Sequence, residues 1–373
     1  MRVLGIERDD TACNHYRILQ PLMKLREHEM VDTLTIYERD ISHNLDYAYQ
    51  RIMESDIVVF QRPASEEWLN FIKIAQKAGK IIICDYDDDP FNVSPMNPSY
   101  KHCGTEEVVM QWKDGKKDIL WQDGVDGFNI EENIRRRDLF KASFKKADLT
   151  TVSTELLREP FSRVSKNVVV LPNLIDVTLY PKCDMVKKGV RILWQGGGSH
   201  YEDLYMIHEA VIKILKKYPN VTFVYFGDTR FFSLFKDAPQ AQMEYHPWVG
   251  HKTYPYKLAT LNCDIGLCPI IDTAFNRRKT SIKWMEYSTQ GIATIASNLP
   301  PYNVDIDGGH TGVLVEEDLW FDAMEQLIKD KEYRDRIAQE AYQDVIKNHN
   351  ADTKAHLWRD AYESVLKKEL VEA

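Results

Sequence analysis

Short apolar runs rich in β-branched residues recur along the chain, separated by stretches in which apolar residues have helical spacing. These runs predict buried strands: RVLGI, TLTIY, DIVVFQ, KIIICDY, LTTVS and NVVVLP in the first half, and VRILWQ, VTFVYFG, DIGLCPI and IATIAS in the second. Strands that alternate with helices form parallel sheets covered on both faces. The pattern therefore predicts an α/β protein with two Rossmann-like domains.

Interruptions of this alternation indicate the domain boundaries. Pro172, Pro181 and Gly189 break the pattern between the two series of strands, so we place a hinge at residues 173–189. The last helical stretch is expected to return to the first domain. The predicted segments are a first domain at 1–175, a second domain at 189–350 and a terminal helix at 351–373.

Two neighbouring segments of the first domain stand out from the alternation. Residues 91–130 follow a strand end and combine prolines, tryptophans and glycines without clear periodicity, which indicates either a lid or acceptor-binding loop or a surface excursion. Residues 133–148 carry six cations against two acids on a helical pattern. That stretch is either a phosphate-tracking helix or an ordinary amphipathic helix with a solvated face.

Composition and charge narrow the classes of protein. The chain of 373 residues is 44% hydrophobic and 28% charged, and no apolar run approaches the roughly 18 to 20 residues of a membrane span. With no visible signal peptide, we expect a cytoplasmic protein without integral membrane contact. Six cysteines without a CxxC pair indicate reduced thiols. A net charge of −9 argues against a protein coated in nucleic acid but leaves a local basic groove open.

A cluster of cations in the second domain predicts an anion site. It precedes or opens a helix predicted at residues 281–290, where free N–H groups and the helix dipole favour negative charge. A diphosphate is the natural ligand, with Ser281 at the helix start. Glu286, further along, is expected to accept hydrogen bonds from a sugar hydroxyl; a solvated helix start with one salt bridge is the alternative. The cations, with no acid among them, are Arg277, Arg278, Lys279 and Lys283.

A glycine loop in the same domain predicts a second contact for phosphate. Three glycines follow a strand and precede a helix, which lets the backbone approach phosphate oxygens closely. Ser199 is either a phosphate ligand or a helix cap. His200 lies on the first helical turn, and Asp228 ends the next strand, where the ribose is expected. The glycines are Gly196, Gly197 and Gly198.

Polar residues at two strand ends of the first domain predict its ligand contacts, because open parallel sheets bind ligands at the carboxyl ends of their strands. After the first strand come Asn14, Tyr16 and Arg17, which together with Asp85 at a later strand end are expected to contact the acceptor. Arg17 could instead clamp a phosphate or form a surface ion pair. A later strand ends in closely spaced acids. Their mutual repulsion would be relieved by a metal such as Mg²⁺ or Mn²⁺, by another cation or by hydrogen-bond donors of a substrate. These acids are Asp85, Asp87, Asp88 and Asp89.

Four motifs of the chain together resemble the GT-B superfamily of nucleotide-sugar glycosyltransferases, in particular its retaining, family-4-like branch. These motifs are VVLPNLID, WQGGGSHYEDL, FVYFGD and CDIGLCPIIDTAFNRRKTSIKWMEYSTQGIATIAS. The resemblance implies GT-B architecture, with two Rossmann-like domains whose parallel sheets face across a cleft. The first domain (1–175) would then bind the acceptor and the second (189–350) the nucleotide sugar. It also implies that Lys279 and Lys283 hold the donor diphosphate, without a required metal. Glu286 matches the second of two glutamates that the branch carries, whereas Arg278 stands where the first is expected.

The predicted activity is therefore transfer of a hexosyl or pentosyl group from a nucleotide-diphosphate sugar to a hydroxyl acceptor, without a cofactor. The acceptor is a glycan, a lipid-linked glycan or a hydroxymethylated base in phage DNA. A sugar-nucleotide 2-epimerase and a non-catalytic sugar-nucleotide-binding protein are the alternatives. An inverting reaction would require a base from the first domain, with Asp85 among the candidates. The candidate catalytic residues are Glu286, Lys279, His200, Asp87 and Asp88.

Overall fold

A computed structural model describes residues 1–111, 115–183 and 188–372, so parts of the predicted insertion (112–114) and hinge (184–187) lie outside the described residues. The chain divides into two compact units. Unit 1 comprises Met1–Asn173 together with the chain from Ala351 onward. Unit 2 comprises Leu174–Asn350.

Unit 1 is built on a six-stranded parallel sheet with strand order β2-β1-β3-β4-β7-β8. The central strands are buried along most of their length because helices cover both faces, which explains their continuous runs of Ile and Val. A separate antiparallel hairpin is formed by β5 and β6. The strands are β1 (Arg2–Glu7), β2 (Asp32–Tyr37), β3 (Ile57–Gln61), β4 (Ile81–Tyr86), β5 (Val108–Gln111), β6 (Lys117–Trp121), β7 (Leu149–Val152) and β8 (Val168–Val170).

The helices of unit 1 follow its strands and include two from the end of the chain. Between the first two, His15–Leu19 form a π-helical turn, a rare geometry that is frequent at functional sites. The α-helices are α1 (Ala12–Asn14), α2 (Gln20–Glu27), α3 (Glu38–His43), α4 (Leu45–Glu54), α5 (Glu66–Lys77), α6 (Ile130–Lys146) and α7 (Glu155–Ser162), then α15 (Ala351–Lys354) and α16 (His356–Glu372).

Unit 2 repeats the design with strand order β11-β10-β9-β12-β13-β14, again parallel throughout. Its strands are β9 (Val190–Gly196), β10 (Val221–Gly227), β11 (Met243–Pro247), β12 (Ile265–Cys268), β13 (Ala293–Ser297) and β14 (Val313–Val315). Its α-helices are α8 (Tyr201–Lys217), α9 (Tyr254–Leu261), α10 (Ala274–Arg277), α11 (Ile282–Thr289), α12 (Tyr302–Asp305), α13 (Trp320–Lys329) and α14 (Lys331–Asn348).

Two parallel Rossmann-like sheets confirm the predicted fold class. The prediction of an irregular segment at 91–130 was wrong in part, because that segment contains the β5–β6 hairpin and a small aromatic core. In this core the ring of Phe128 lies 5.9 Å from that of Tyr100 and 5.4 Å from that of Trp121, measured between centroids. Aromatic contacts between distant positions leave no periodic signal in a sequence.

Among the helices described, none is both long enough and apolar enough to cross a membrane.

Candidate functional site

The carboxyl ends of β9 and β10 in unit 2 approach each other more closely than side chains would allow. A Cβ atom on Gly227, whose φ is +148°, would lie 2.0 Å from the carbonyl oxygen of Gly196. A Cβ on Gly196 would lie 2.7 Å from the ring of Trp194. Packing of the strand ends therefore already requires glycine at positions 196 and 227.

The two following glycines have different surroundings. A Cβ on Gly198 would lie 2.3 Å from an Nη atom of Arg230, whose side chain is paired with Asp228. A Cβ on Gly197 would meet no described atom within 4 Å. Packing does not require glycine at position 197, and its absent side chain leaves the backbone of the loop open to a ligand.

His200, Asp203 and Lys283 form a hydrogen-bonded series beside this loop. His200 Nδ1 lies 2.8 Å from the Asp203 carboxylate, and His200 Nε2 lies 3.2 Å from Lys283 Nζ. The other Asp203 oxygen accepts hydrogen bonds from the backbone N–H of Ile271 and the side-chain amide of Asn276. Asp203 therefore fixes His200 as the tautomer that donates from Nδ1 and accepts at Nε2.

Burial sets the protonation states of this series. Burial, together with the nearby charges of Lys283 and Lys279, lowers the pKa of His200 to about 3, so its imidazole is neutral at physiological pH. Burial also lowers the pKa of Lys283 to about 8. For Asp203, burial acts to raise the pKa, but the hydrogen bond from His200 and the neighbouring charges lower it overall. A neutral imidazole thus accepts a hydrogen bond from an ammonium that is close to its titration point.

Lys279 carries a buried ammonium that makes no hydrogen bond to the described residues. Its Nζ lies 4.9 Å from the centre of the Phe275 ring, and no hydrogen-bond acceptor is in reach within the described parts of the chain. Buried polar groups in native proteins nearly always have partners, so an exception points to an external one. The orphaned ammonium predicts a site for an anion.

The other predicted ligands of the cation cluster have internal partners. Arg277 is exposed and forms a bidentate pair with Asp272, at 2.5 and 2.7 Å, so the four-cation cluster is smaller than the sequence indicates. The hydroxyl of Ser281 is buried and donates to Asp305. Arg278 is half-buried directly before Lys279.

Glu286 lies on α11 within a buried polar triad. Its Oε2 accepts a hydrogen bond of 2.9 Å from the Gln195 amide, and the Tyr254 hydroxyl lies 2.7 Å from both Glu286 Oε2 and Gln195 Oε1. Burial and the neighbouring Glu286 charge raise the pKa of Tyr254 well above its usual value, which keeps the hydroxyl a donor. The triad fixes the direction of the Glu286 carboxylate.

The side chain of Asp228, which follows β10, is held by Arg230. It accepts from the backbone N–H of Arg230 at 3.0 Å and pairs with the guanidinium of the same residue. Ser199 lies in the short turn Gly198–His200 before α8, and no side-chain cap of α8 is formed there.

Sequence reasoning assigned no role at the site to four residues that organise this region. Asp203 left a usable signal, because it stands three residues after His200 on the same helix. The other three join the site only through the tertiary fold. They are Gln195, Tyr254 and Asn276.

In unit 1, Arg17 and Asp85 form an internal ion pair. The guanidinium of Arg17 donates to both Asp85 oxygens at 2.6 to 3.2 Å, to the carbonyl oxygen of Leu171 at 2.5 Å and to Asn173 Oδ1 at 3.0 Å. Thr151 donates a further hydrogen bond to Asp85. Both charged groups are almost fully buried. Internal partners therefore satisfy both groups, and acceptor binding by Arg17 and Asp85 stays a prediction.

Unpartnered polar atoms do occur nearby, at the ends of β1 and β3. Asn14 donates to Glu7 at 2.7 Å, but within the described residues its Oδ1 is buried without a donor. The amide nitrogen and oxygen of Gln61 are also buried and lack hydrogen-bond partners among the described residues. Tyr16, also predicted to bind the acceptor, is buried on the π-helical turn.

Asp87 and Asp88 share the guanidinium of Arg62. The backbone of Arg62 has a φ of +51°, in the left-handed region that is costly for a side-chain-bearing residue. Cys13 brings a thiol close enough for these three groups to surround a metal ion, with ligand atoms within 4.8 Å of one another. However, Arg62 already supplies the positive charge that the sequence led us to expect from a metal or substrate. Burial also raises the pKa of the Cys13 thiol, which disfavours the thiolate that metals require.

The fold resembles solved glycosyltransferases over nearly its whole length. For sucrose-phosphate synthase of Thermosynechococcus elongatus the TM-score is 0.66 at 13% identity, covering 99% of this chain and 100% of that one. For HepE of Anabaena in complex with UDP and glucose it is 0.65 at 12% identity, covering 98% and 100%. For a glycosyltransferase from Rickettsia africae it is 0.64 at 12% identity, covering 98% of both chains.

At these identities the likeness defines the fold alone, and that fold is GT-B. The sequence matches no protein-family model and no curated protein.

Proposed function

We propose that this protein is a glycosyltransferase that moves a sugar from a nucleotide-diphosphate donor to a hydroxyl acceptor. The buried, unpartnered ammonium of Lys279 carries the proposal. A diphosphate supplies the acceptor oxygens that this group lacks, and charge-assisted hydrogen bonds are among the strongest available. Lys283 and the open backbone at Gly197 belong to the same unit and support the same ligand.

Glu286 is proposed to bind a hydroxyl of the donor's sugar or ribose. Recognition of a hydroxyl requires a carboxylate of fixed direction, and the hydrogen bonds from Gln195 and Tyr254 provide it. Arg278 stands where the resembling branch carries its other glutamate. Because a cation replaces a carboxylate there, the donor sugar is proposed to differ from those of enzymes with both glutamates.

The proposed reaction retains the anomeric configuration and does not depend on a metal. The bond between the sugar's anomeric carbon and the diphosphate breaks while the acceptor oxygen attacks from the same face, and the acceptor's proton passes to the departing phosphate. Lys279 and Lys283 stabilise the charge that develops on that phosphate. His200 is neutral and holds Lys283, which makes it a positioning residue. An inverting reaction is less favoured because Asp87 and Asp88 are both bound to Arg62.

The acceptor is proposed to be a glycan or lipid-linked glycan that unit 1 binds. The polar ends of β1 and β3, with the unpartnered atoms of Asn14 and Gln61, suit hydroxyl groups. The DNA alternative is less favoured because two of the six cations of α6, Arg135 and Arg136, lie in ion pairs. Arg135 pairs with Glu66 and Glu132. Absence of a gel shift with duplex DNA at low salt would remove that alternative.

The proposal is tested by titrating the protein with UDP and a panel of nucleotide sugars in a calorimeter. UDP comes first because HepE was solved with it. Lys279→Met is expected to weaken donor binding by about 10- to 100-fold, the loss of one charge-assisted hydrogen bond. Arg277→Gln is the matched control, since it removes an exposed neighbouring charge that Asp272 neutralises. Equal loss in both variants, or no binding of any nucleotide sugar, would overturn the donor assignment.

The reaction itself is followed by NMR of the donor sugar with and without candidate glycan acceptors. Acceptor-dependent formation of a new glycoside supports transfer. Isomerisation of the donor without an acceptor would identify an epimerase instead. Binding without turnover in every mixture would favour a non-catalytic sugar-nucleotide-binding protein.

A further inference from the structure

A cavity of about 270 Å³ lies in unit 1 between α6 and the segment that follows β4. It is outside the strand-end clusters described above. The residues of its lining that decide its chemistry are Phe91, Tyr100, Thr105, Glu106, Arg137 and Lys141.

The two cations of this cavity lie four residues apart, on one face of α6. Across the described chain, neither Arg137 nor Lys141 has an acidic partner within ion-pair distance, and Arg137 Nε is buried without a hydrogen-bond acceptor. Their neighbours on the helix differ, because Arg135 and Arg136 both pair with Glu132. Both cations that line the cavity are thus uncompensated among the described residues.

The wall of the cavity is fixed to the helix. The buried side-chain amide of Asn133 donates to the carbonyl oxygens of Lys101 and Gly104, at 3.0 and 2.9 Å. A Cβ on Gly104 would lie 2.1 Å from the ring of Tyr100, so the wall and the ring are in direct contact. Tyr100 in turn stacks on Phe128. A pre-formed wall lowers the entropic cost of binding a ligand.

The lining indicates the kind of ligand. An arginine fork with a lysine beside it matches the geometry of a carboxylate or phosphate. Thr105 and the carboxylate of Glu106 suit hydroxyl groups, and the rings of Phe91 and Tyr100 suit the apolar face of a sugar ring. The volume is just below the roughly 300 Å³ at which binding sites for larger ligands begin.

We propose that this cavity binds a single sugar residue that carries a carboxylate or a phosphate. Pro90 and Phe91, which line the cavity, follow the carboxyl end of β4 by four and five residues. Open parallel sheets bind ligands at this edge. The identification of this sugar as the acidic part of the acceptor rests on the proposed function. The binding of an acidic sugar to this cavity does not rest on the proposed function.

Titration of the full chain with four probes, by calorimetry or saturation-transfer NMR, tests the proposal: glucuronate, glucose 1-phosphate, inorganic phosphate and glucose. At least one acidic sugar is expected to bind more tightly than inorganic phosphate, and glucose is expected not to bind. Comparison of glucuronate with glucose 1-phosphate separates a carboxylate ligand from a phosphate ligand.

Variants assign the binding to the cavity. Arg137→Gln combined with Lys141→Met is expected to weaken acidic-sugar binding by at least about tenfold. Lys145→Met is the matched control, because it removes an exposed charge of α6 outside the cavity. Circular dichroism melts of each variant verify folding. Equal affinity in the double variant and the control, or equal binding of glucose, would overturn the proposal.

UDP titrated into the same samples keeps the two proposals distinguishable. UDP affinity is expected to be unchanged by the α6 variants. If UDP fails to bind to any form while glucuronate or glucose 1-phosphate binds to the cavity, the donor assignment fails and the cavity assignment stands.

Discussion

Two buried cations, Arg17 in unit 1 and Lys279 in unit 2, show how differently similar sequence signals can be used. Arg17 lies on the π-helical turn between β1 and α2, Lys279 lies between β12 and α11, and both were predicted to bind a substrate. Arg17 is surrounded by acceptors from Asp85, Leu171 and Asn173. Lys279 has no acceptor among the described residues. A buried cation indicates a ligand only when the fold leaves its hydrogen bonds unmade, and the sequence does not state which case applies.

The largest expected effect comes from removing the satisfied cation. Arg17→Met leaves the buried Asp85 without its counter-charge, which typically costs about 3 to 5 kcal/mol. Urea unfolding of unit 1, followed by circular dichroism, measures the loss. Arg135→Gln, which removes an exposed arginine of the same unit, is the control. Stability of Arg17→Met equal to that of this control would show that the pair is not structural.

Removing the unsatisfied cation should have the opposite effect on stability. Lys279→Met removes a buried donor that makes no hydrogen bond to the described residues, so the ligand-free protein is expected to gain about 1 to 3 kcal/mol. The same urea experiment on ligand-free protein measures this gain. Loss of stability in Lys279→Met would mean that the ammonium is stabilised within the protein and would remove the contrast with Arg17.

The pH dependence sharpens the assignment of Lys283. Its pKa of about 8 in the folded protein lies below its ordinary value of 10.5, so the unfolded chain binds more protons between these two values. Stability should therefore rise with pH through this window, by up to about 1.4 kcal/mol per unit.

Donor affinity should show the reverse dependence. A diphosphate binds the charged form of Lys283, so affinity should fall as pH rises above about 8. His200, with a pKa of about 3, should add no inflection near neutrality. Calorimetric titrations from pH 6 to about 10 provide the test, and Lys283→Met should flatten the alkaline fall. An inflection near pH 6.5 that His200→Asn abolishes would contradict the neutral imidazole.

The smallest expected effect on stability is that of Gly197→Ala. Its Cβ meets no described atom within 4 Å, so stability should stay within about 0.5 kcal/mol of the wild type. Donor affinity should nevertheless fall if the backbone of this loop contacts phosphate. Gly227→Ala is the contrasting variant, because its Cβ would collide with backbone. Unchanged donor affinity in Gly197→Ala would separate the glycine loop from the diphosphate.

The fold was largely predictable because parallel strands buried on both faces leave long apolar runs, as in β4 and β10. The order of the strands and the β5–β6 hairpin were not, since they depend on contacts between distant residues. At the site, Lys279 and Glu286 could be selected from charge and helix position. Their different environments could not, because Gln195 and Tyr254 reach Glu286 from other strands and helices.

Unit 1 takes elements from both ends of the described chain, which has a consequence for biosynthesis. The helix α16 supplies Trp358 and Tyr362 to its interior, and Asp352 of α15 pairs with His28. A ribosome must therefore finish the whole of unit 2 before the first unit can acquire its last helices. Until then, the nascent first unit exposes apolar surface to chaperones, whereas the second unit is contiguous and can fold as soon as it emerges.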